Sequence, residues 1–309
     1  MSAAPPKFEP MKAETLKDTS QISDWPMLAS AKLDGIRCVV RDGVALSYNL
    51  KPIRNRYVQS CLGHKELNGL DGELVVGPPV GGQVLNRTQS GVMSTAGEPD
   101  FTFWVFDDFS AHAHEFGYRI GRVEDRIGDL SQKRVDFVAH SSIHSAAGLL
   151  TFETAILEAG YEGVMLRHPS GPYKYGRATA REGWLWKVKR FHDGDAVVVA
   201  IEEGEENHNV AEKDNLGRTK RSTHAAGKVP AGRVGTIIAK DVDTGEVLRV
   251  SPGCLTAEQR VAMFKDQSLI LRKLFTYKMF AYGVKDAPRF CTFKAFRDTA
   301  DRAPLRYGV

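Results

Sequence analysis

The chain has 309 residues, 42% hydrophobic and 26% charged, with a formal net charge of +4. That balance excludes a largely disordered or fibrous chain, and the length suits one large domain or two ordinary ones. Residues 1–7 lack the apolar centre of a signal peptide, no apolar stretch approaches about 18 residues, and Cys38, Cys61, Cys254 and Cys291 make no short-spaced pair. A reduced, soluble, intracellular protein without structural zinc or a membrane span is therefore expected.

In chain order, residues 1–26 read as an irregular polar lead-in ending at Trp25-Pro26. Short strands are predicted at 36–40, 44–47, 72–76 and 101–107, separated by glycine and proline. Residues 77–99, rich in Gly, Pro, Ser and Thr, are expected to be loops. Helices are predicted at 116–130 and at 145–159, where Leu149, Phe152, Ile156 and Leu157 fall near one face. A strand at 163–167 follows, then a loop through Pro169-Ser170-Gly171-Pro172.

Composition shifts after Arg190, and a domain boundary is placed at 189–191. Strands at 196–201, 234–240 and 246–250 with a helix at 257–265 suit a small barrel of the oligonucleotide-binding kind. The segment 203–231 begins acidic, turns basic and is too long for a hairpin turn, so a functional protrusion is expected. Basic charge gathers at 213–233 and 272–297, the distribution expected where a phosphate backbone is gripped. Neither a GxGxxG run nor a Walker lysine motif is present, which argues against a Rossmann or P-loop site.

Candidate chemistry begins at Lys32-Leu33-Asp34-Gly35-Ile36-Arg37. A nucleophilic lysine must be neutral when it attacks, and Arg37, across the Asp34-Gly35 turn, can approach the same phosphate. Spacing alone leaves phosphoryl transfer and Schiff-base chemistry both open. Glu73 in Asp71-Gly72-Glu73 and Glu162 in Glu162-Gly163-Val164 each stand at the mouth of an apolar strand, free for a ribose hydroxyl or a divalent ion. Two carboxylates with ATP phosphates suffice for magnesium, which prefers oxygen ligands and keeps waters. In Phe101–Asp107, Phe106 lies on the face opposite Phe101, Phe103 and Val105 and can stack on a purine. Lys187 and Lys189, two apart on a strand, point the same way and can offset charge as pyrophosphate leaves.

Together these segments resemble the ATP-dependent DNA ligases of the nucleotidyltransferase superfamily, and most closely the compact ligases of large DNA viruses. The resemblance runs through Lys32–Arg37, Ser47–Asn55, Asp71–Glu73, Phe103–Asp107, Glu162–Arg167, Tyr173–Arg177 and Lys187–Lys189. It continues in Asp214–His224, similar to a protruding latch that closes around duplex DNA, and in Pro288-Arg289-Phe290 with Lys294 and Arg297, similar to a basic motif used in lysine adenylylation.

The resemblance implies an α+β fold with a nucleotidyltransferase (adenylation) domain at 1–189. An oligonucleotide-binding β-barrel at 190–309 would carry the latch at 203–231. It implies a monomeric enzyme that seals nicked duplex DNA in replication, repair or recombination, using ATP, a lysyl-AMP intermediate and Mg2+ or Mn2+, within a host cell if phage or viral. Lys32, Arg37, Lys187 and Lys189 are the expected catalytic residues. The nucleotide is expected on these with Glu73, Phe106, Glu162, Arg289 and Lys294, and metal on Glu73 and Glu162. DNA contacts are expected from Tyr48, Lys51, Arg54, Arg177, Lys213, Arg218, Lys220, Arg221 and Lys228.

Two positions depart from the family pattern. Tyr48 stands where relatives carry an arginine that contacts the 5′-phosphate, so nick sensing is expected to weaken or shift to Arg54 or Arg177. Cys291 stands where proline is common. The alternatives are an RNA ligase, an mRNA-capping nucleotidyltransferase, and a noncatalytic nucleic-acid-binding protein. The latch argues against the first two and the intact lysines and glutamates against the third.

Overall fold

The computed structural model describes residues 7–129, 134–189, 192–280 and 289–297. The fold is mixed α/β, and the chain divides into two compact units. The first comprises Met1–Lys189 with Asp214–Arg218; the second comprises Arg190–Lys213 with Thr219–Val309.

Two five-stranded sheets build the first unit. One has the order Glu14–Thr15, Leu185–Val188, Val164–Arg167, Met27–Ala31, Ser141–Ile143; the other runs Val44–Ser47, Ile36–Arg41, Leu70–Val76, Phe101–Asp108, Val135–Phe137. Strand Phe101–Asp108 forms because its apolar residues alternate: Phe101, Phe103 and Val105 are buried, while Trp104 and Phe106 are half-buried on the other face. Each fully buried side chain of this size contributes about 1.5–3 kcal/mol. Helix Phe116–Asp129 covers the buried face with Phe116, Ile120 and Val123, spaced by four and three, and with Ile127 four further on.

Helix Ala146–Glu158 starts where Ser145 Oγ accepts from the Gly148 amide at 3.1 Å, and it packs Leu149, Phe152 and Ile156 into a second cluster. Two expectations need correction. Residues 77–99 contain helix Val84–Met93, because Val84, Thr88 and Val92, at a spacing of four, bury one stripe. The Val76 amide donates to Thr88 Oγ1 at 3.0 Å, fastening the helix to its neighbouring strand. The lead-in is also less irregular than expected, since Glu14–Thr15 adds in parallel to Leu185–Val188.

The second unit is an antiparallel sheet in the order Val247–Val250, Lys228–Asp241, His192–Asn207, Leu274–Phe280, Arg289–Phe296. Ala196, Val198, Ile237, Ala239, Phe275 and Phe293 fill its core. A capping box between Thr256 and Gln259 opens helix Ala257–Lys265. Among the described residues the strands expected of a barrel form this open five-stranded sheet, not a closed barrel; a bridge between Ser251 and Thr292 lies beside its edge strands. Within 203–231, the pairing Asn207↔Lys228 extends the two longest strands, and Ala211–Lys213 pairs with Thr219–Arg221 as a two-stranded hairpin. Among the described residues no helix is long and apolar enough to cross a membrane.

Candidate active site

Lys32 follows strand Met27–Ala31, and its amide donates to the Gly163 carbonyl at 2.8 Å. This bond brings Lys32 beside Glu162 although 130 residues separate them. A Cβ on Gly163 would stand 2.5 Å from the Val188 carbonyl, so a side chain there would force the strands apart. The Glu162 carboxylate joins the ammonium groups of both Lys32 and Lys189 in ion pairs. Burial alone would raise the Glu162 pKa, but the two lysines hold it below the usual carboxylate range.

Lys187 reaches the same side through register. Ser30 lies opposite Met165, and Met165 lies opposite Lys187 in the next strand, so side chains in this row share a face. Met165 lines a cleft together with Lys32, Arg37, Glu73, Phe106 and Arg167. Burial, and then the fields of Arg177, Lys189, Lys32 and Lys12, lower the Lys187 pKa. An anion placed among these cations would relieve their repulsion.

Arg37 and Glu73 face each other across neighbouring strands. The close approach requires Gly35, where a Cβ would meet the Leu74 carbonyl oxygen at 2.1 Å. Burial pushes the Glu73 carboxyl up to about 7, against the opposing pull of Lys32 and Arg37. Phe106 presents its ring to two guanidinium groups, Arg37 at 4.6 Å and Arg167 at 5.7 Å from the centroid. An aromatic ring and several cations thus line one cleft, suited to a base and its phosphates.

Sequence reasoning assigned no role to the buried acids that hold these arginines. Asp71 accepts from Arg37 Nε at 2.5 Å and Nη2 at 2.6 Å, and from the Tyr173 hydroxyl at 2.5 Å. Asp107 is fully buried and pairs with Arg167 at 2.7 Å and Arg119 at 2.7 Å. Burial would raise the Asp107 pKa, but Arg167 and Arg119 hold it low. The available signal was an acid within each of two largely apolar strands, Asp71 beside Glu73 and Asp107 beside Asp108; burial without a partner would cost several kcal/mol.

The structure thus brings Lys32, Arg37, Glu73, Phe106, Glu162, Lys187 and Lys189 together in the first unit. Among the described residues no three His, Cys, Asp or Glu side chains form a ready metal cage. Lys51, Arg54 and Arg177 are exposed, and Tyr48 is half-buried with its hydroxyl donated to Glu9 Oε1 at 3.0 Å. Lys213, Arg218, Lys220, Arg221 and Lys228 are all exposed on the 203–231 segment, Lys228 being paired with Glu205 at 2.9 Å. Lys294 is exposed in the second unit and pairs with Asp193. Arg289 begins the last strand, but its side chain and Pro288 lie outside the described residues.

Comparison with known proteins gives a consistent picture. The family model for an ATP dependent DNA ligase domain matches residues 10–189. A curated probable DNA ligase of Mycolicibacterium vanbaalenii is 45% identical over 73 residues, 24% of this chain and 12% of that protein. Another, of Mycolicibacterium gilvum, is 37% identical over 123 residues, 38% of this chain and 22% of that protein. The chain therefore spans less than a quarter of the length of these curated relatives. Among solved structures, a Chlorella virus DNA ligase-adenylate is 26% identical with a TM-score of 0.53, over 94% of this chain and 99% of that one. A structure from work on Lig E DNA ligases shares the fold with a TM-score of 0.70 at 21% identity, over 94% of this chain and 99% of its own.

Proposed function

The chain belongs to the family of ATP dependent DNA ligase domains, and from that premise we propose that it seals nicks in duplex DNA through lysyl-AMP and DNA-adenylate intermediates. The observation that carries this reading is the Lys32–Glu162–Lys189 group beside a cleft lined by Arg37, Glu73 and Phe106.

In the first step Lys32 Nζ, having lost its proton, attacks the α-phosphorus of ATP. A P–N bond forms and the P–O bond to pyrophosphate breaks. Lys187 and Lys189 neutralise the departing charge, Phe106 stacks on adenine, and Glu73 accepts from a ribose hydroxyl. In the second step a 5′-phosphate oxygen at the nick attacks the same phosphorus and releases Lys32. In the third the 3′-hydroxyl attacks the 5′-phosphorus and AMP leaves; Arg37, held by Asp71, steadies the reacting phosphate.

Glu73 and Glu162 repel one another across the cleft and offer only oxygen donors, a set that fits a hard divalent cation such as Mg2+ or Mn2+. When bound there, that ion supplies further charge neutralisation at the phosphates.

On this reading 1–189 is the adenylation domain. Residues 190–309 form an oligonucleotide-binding barrel, a reading supported by five antiparallel strands and the Ser251–Thr292 bridge beside the sheet edges. The basic hairpin within 203–231 is a latch on duplex DNA, Arg289 and Lys294 assist adenylylation, and the protein acts as an intracellular monomer. The test is to offer labelled ATP and GTP, score which enters a covalent adduct, and then score sealing of DNA/DNA, DNA/RNA and RNA/RNA nicks. Adduct from ATP and sealing of DNA/DNA nicks is the expected result; a GTP adduct, or sealing confined to RNA, overturns the reading.

A further inference from the structure

Around Lys187, at the margin of the cleft, the cations of the first unit are not all matched by acids. Lys12 is half-buried between Met11 and Ala13, both of which point into the core. Its own position is fixed by backbone. The Lys12 amide donates to the Gly176 carbonyl at 2.8 Å, its carbonyl accepts from the Ala178 amide at 2.8 Å, and it bridges in parallel to Arg177.

Its ammonium lies 5.6 Å from the centroid of the Tyr48 ring and close enough to Lys187 to act on it electrostatically. Among the described residues neither Lys12 nor Lys187 has a carboxylate within ion-pair distance, whereas Arg177 has Glu14 at 4.0 Å and donates to the Ala13 carbonyl at 3.2 Å. Of these three cations only Arg177 has a carboxylate at ion-pair distance among the described residues; the Tyr48 ring that Lys12 faces also carries Arg218 at 5.5 Å, and Arg218, not Lys12, takes the nearby Glu9 carboxylate at 3.7 Å.

The Tyr48 hydroxyl does not fill the gap. It has one hydrogen, and that hydrogen is donated to Glu9. Tyr48 therefore offers a wall to the site rather than a donor.

We propose that Lys12, seated on the Tyr48 ring beside Arg177, is the cation that reads the 5′-phosphate of the nick. The proposal rests on the ligase reading, and it assigns this chain's end-recognition to a residue of the lead-in segment. A phosphate monoester carries close to two negative charges and suits a site of several convergent cations. A nick ending in a 5′-hydroxyl offers Lys12 nothing to pair with.

The test compares the parent with Lys12→Met, which keeps the unbranched stem over the ring and removes the charge, and with Lys12→Arg, which restores charge. Each protein, charged with ATP and Mg2+ and then moved into EDTA so that sealing cannot proceed, is titrated against nicked duplexes that differ only in a 5′-phosphate or a 5′-hydroxyl; thermal unfolding and AMP-adduct yield are recorded alongside. The parent should favour the phosphorylated nick. Lys12→Met should reduce that preference by roughly tenfold, as expected for one charge-assisted hydrogen bond, and Lys12→Arg should restore most of it. An unchanged preference in Lys12→Met overturns the proposal. So does a parent that binds both nicks alike; if that parent also forms no AMP adduct, the ligase reading falls as well. Should Lys12→Met unfold early, the Lys12→Arg protein decides: a preference lost despite normal folding and retained charge also counts against the assignment.

Discussion

Replacing Gly35 by alanine should cripple the site although glycine itself offers no group to a substrate. The added Cβ would stand 2.1 Å from the Leu74 carbonyl oxygen, 2.8 Å from Glu73 Cγ and 3.0 Å from Val75 Cγ2. The first of these is backbone within a paired strand, so relief requires Ile36–Arg41 and Leu70–Val76 to separate by about 1 Å, the shortfall from ordinary van der Waals separation. Overpacking of this kind costs about 1–3 kcal/mol, and a backbone obstacle places Gly35→Ala at the upper end. For a unit of this size that is a loss of about 6–12 °C in melting temperature. Separation of the strands also disturbs the facing pair Arg37 and Glu73, so AMP-adduct yield should fall even in the protein that remains folded. Gly121 provides the control of opposite sign. It lies in helix Phe116–Asp129, and a Cβ added there would meet nothing within 4 Å, so Gly121→Ala should stabilise by about 0.5–1 kcal/mol. Both variants are measured by thermal and urea unfolding beside the parent. Equal stability of Gly35→Ala and Gly121→Ala would refute the claim that strand approach at Gly35 builds the cleft.

Glu73 makes the pH prediction. Its carboxyl is pushed up to about 7 by burial, above the ordinary carboxylate value, so its contribution to stability is fully present below about pH 4.5 and is lost as pH rises through about 7. Between pH 5 and pH 8 the parent should therefore lose about 1–2 kcal/mol relative to Glu73→Gln, a figure reduced for the partial exposure of the group. Adenylylation by the parent should rise over the same interval, as the carboxylate that accepts from ribose forms; parallel pH profiles in parent and Glu73→Gln would reject this. Replacing residues 208–227 by a short turn should leave AMP-adduct formation intact, because Asn207 and Lys228 already pair across the join. Nicked-duplex binding should weaken, its log–log salt slope flattening by roughly 0.9 for each phosphate no longer gripped. An unchanged slope and affinity would show that the hairpin is not a clamp.

Local pattern carried much of the first unit. The alternation in Phe101–Asp107 gave both the buried face and the outward Phe106, and the Lys-x-Asp-Gly-x-Arg spacing of the 32–37 run placed Lys32 and Arg37 at one turn. Helix Val84–Met93 was hidden because its buried stripe includes Thr88, and glycine and serine around it read as loop. The holders of the arginines were legible only in part. Asp71 and Asp107 each sit in a largely apolar strand beside a second acid, but their partners Tyr173, Arg119 and Arg167 come from 12 to 102 residues away, a distance no periodicity spans. The same reason hid Lys12: nothing in a lead-in sequence reveals that its backbone will bridge to Arg177.

The central claim is that Lys32 is the nucleophile, and the most direct measurement is to locate the AMP. Protein incubated with labelled ATP and Mg2+ is digested and the labelled peptide sequenced, for the parent and for Lys32→Ala. Acid-labile AMP on Lys32 in the parent, and no label in a Lys32→Ala protein that melts like the parent, is the predicted result. Label of equal yield in Lys32→Ala, or label placed on Lys187 or Lys189, would contradict it.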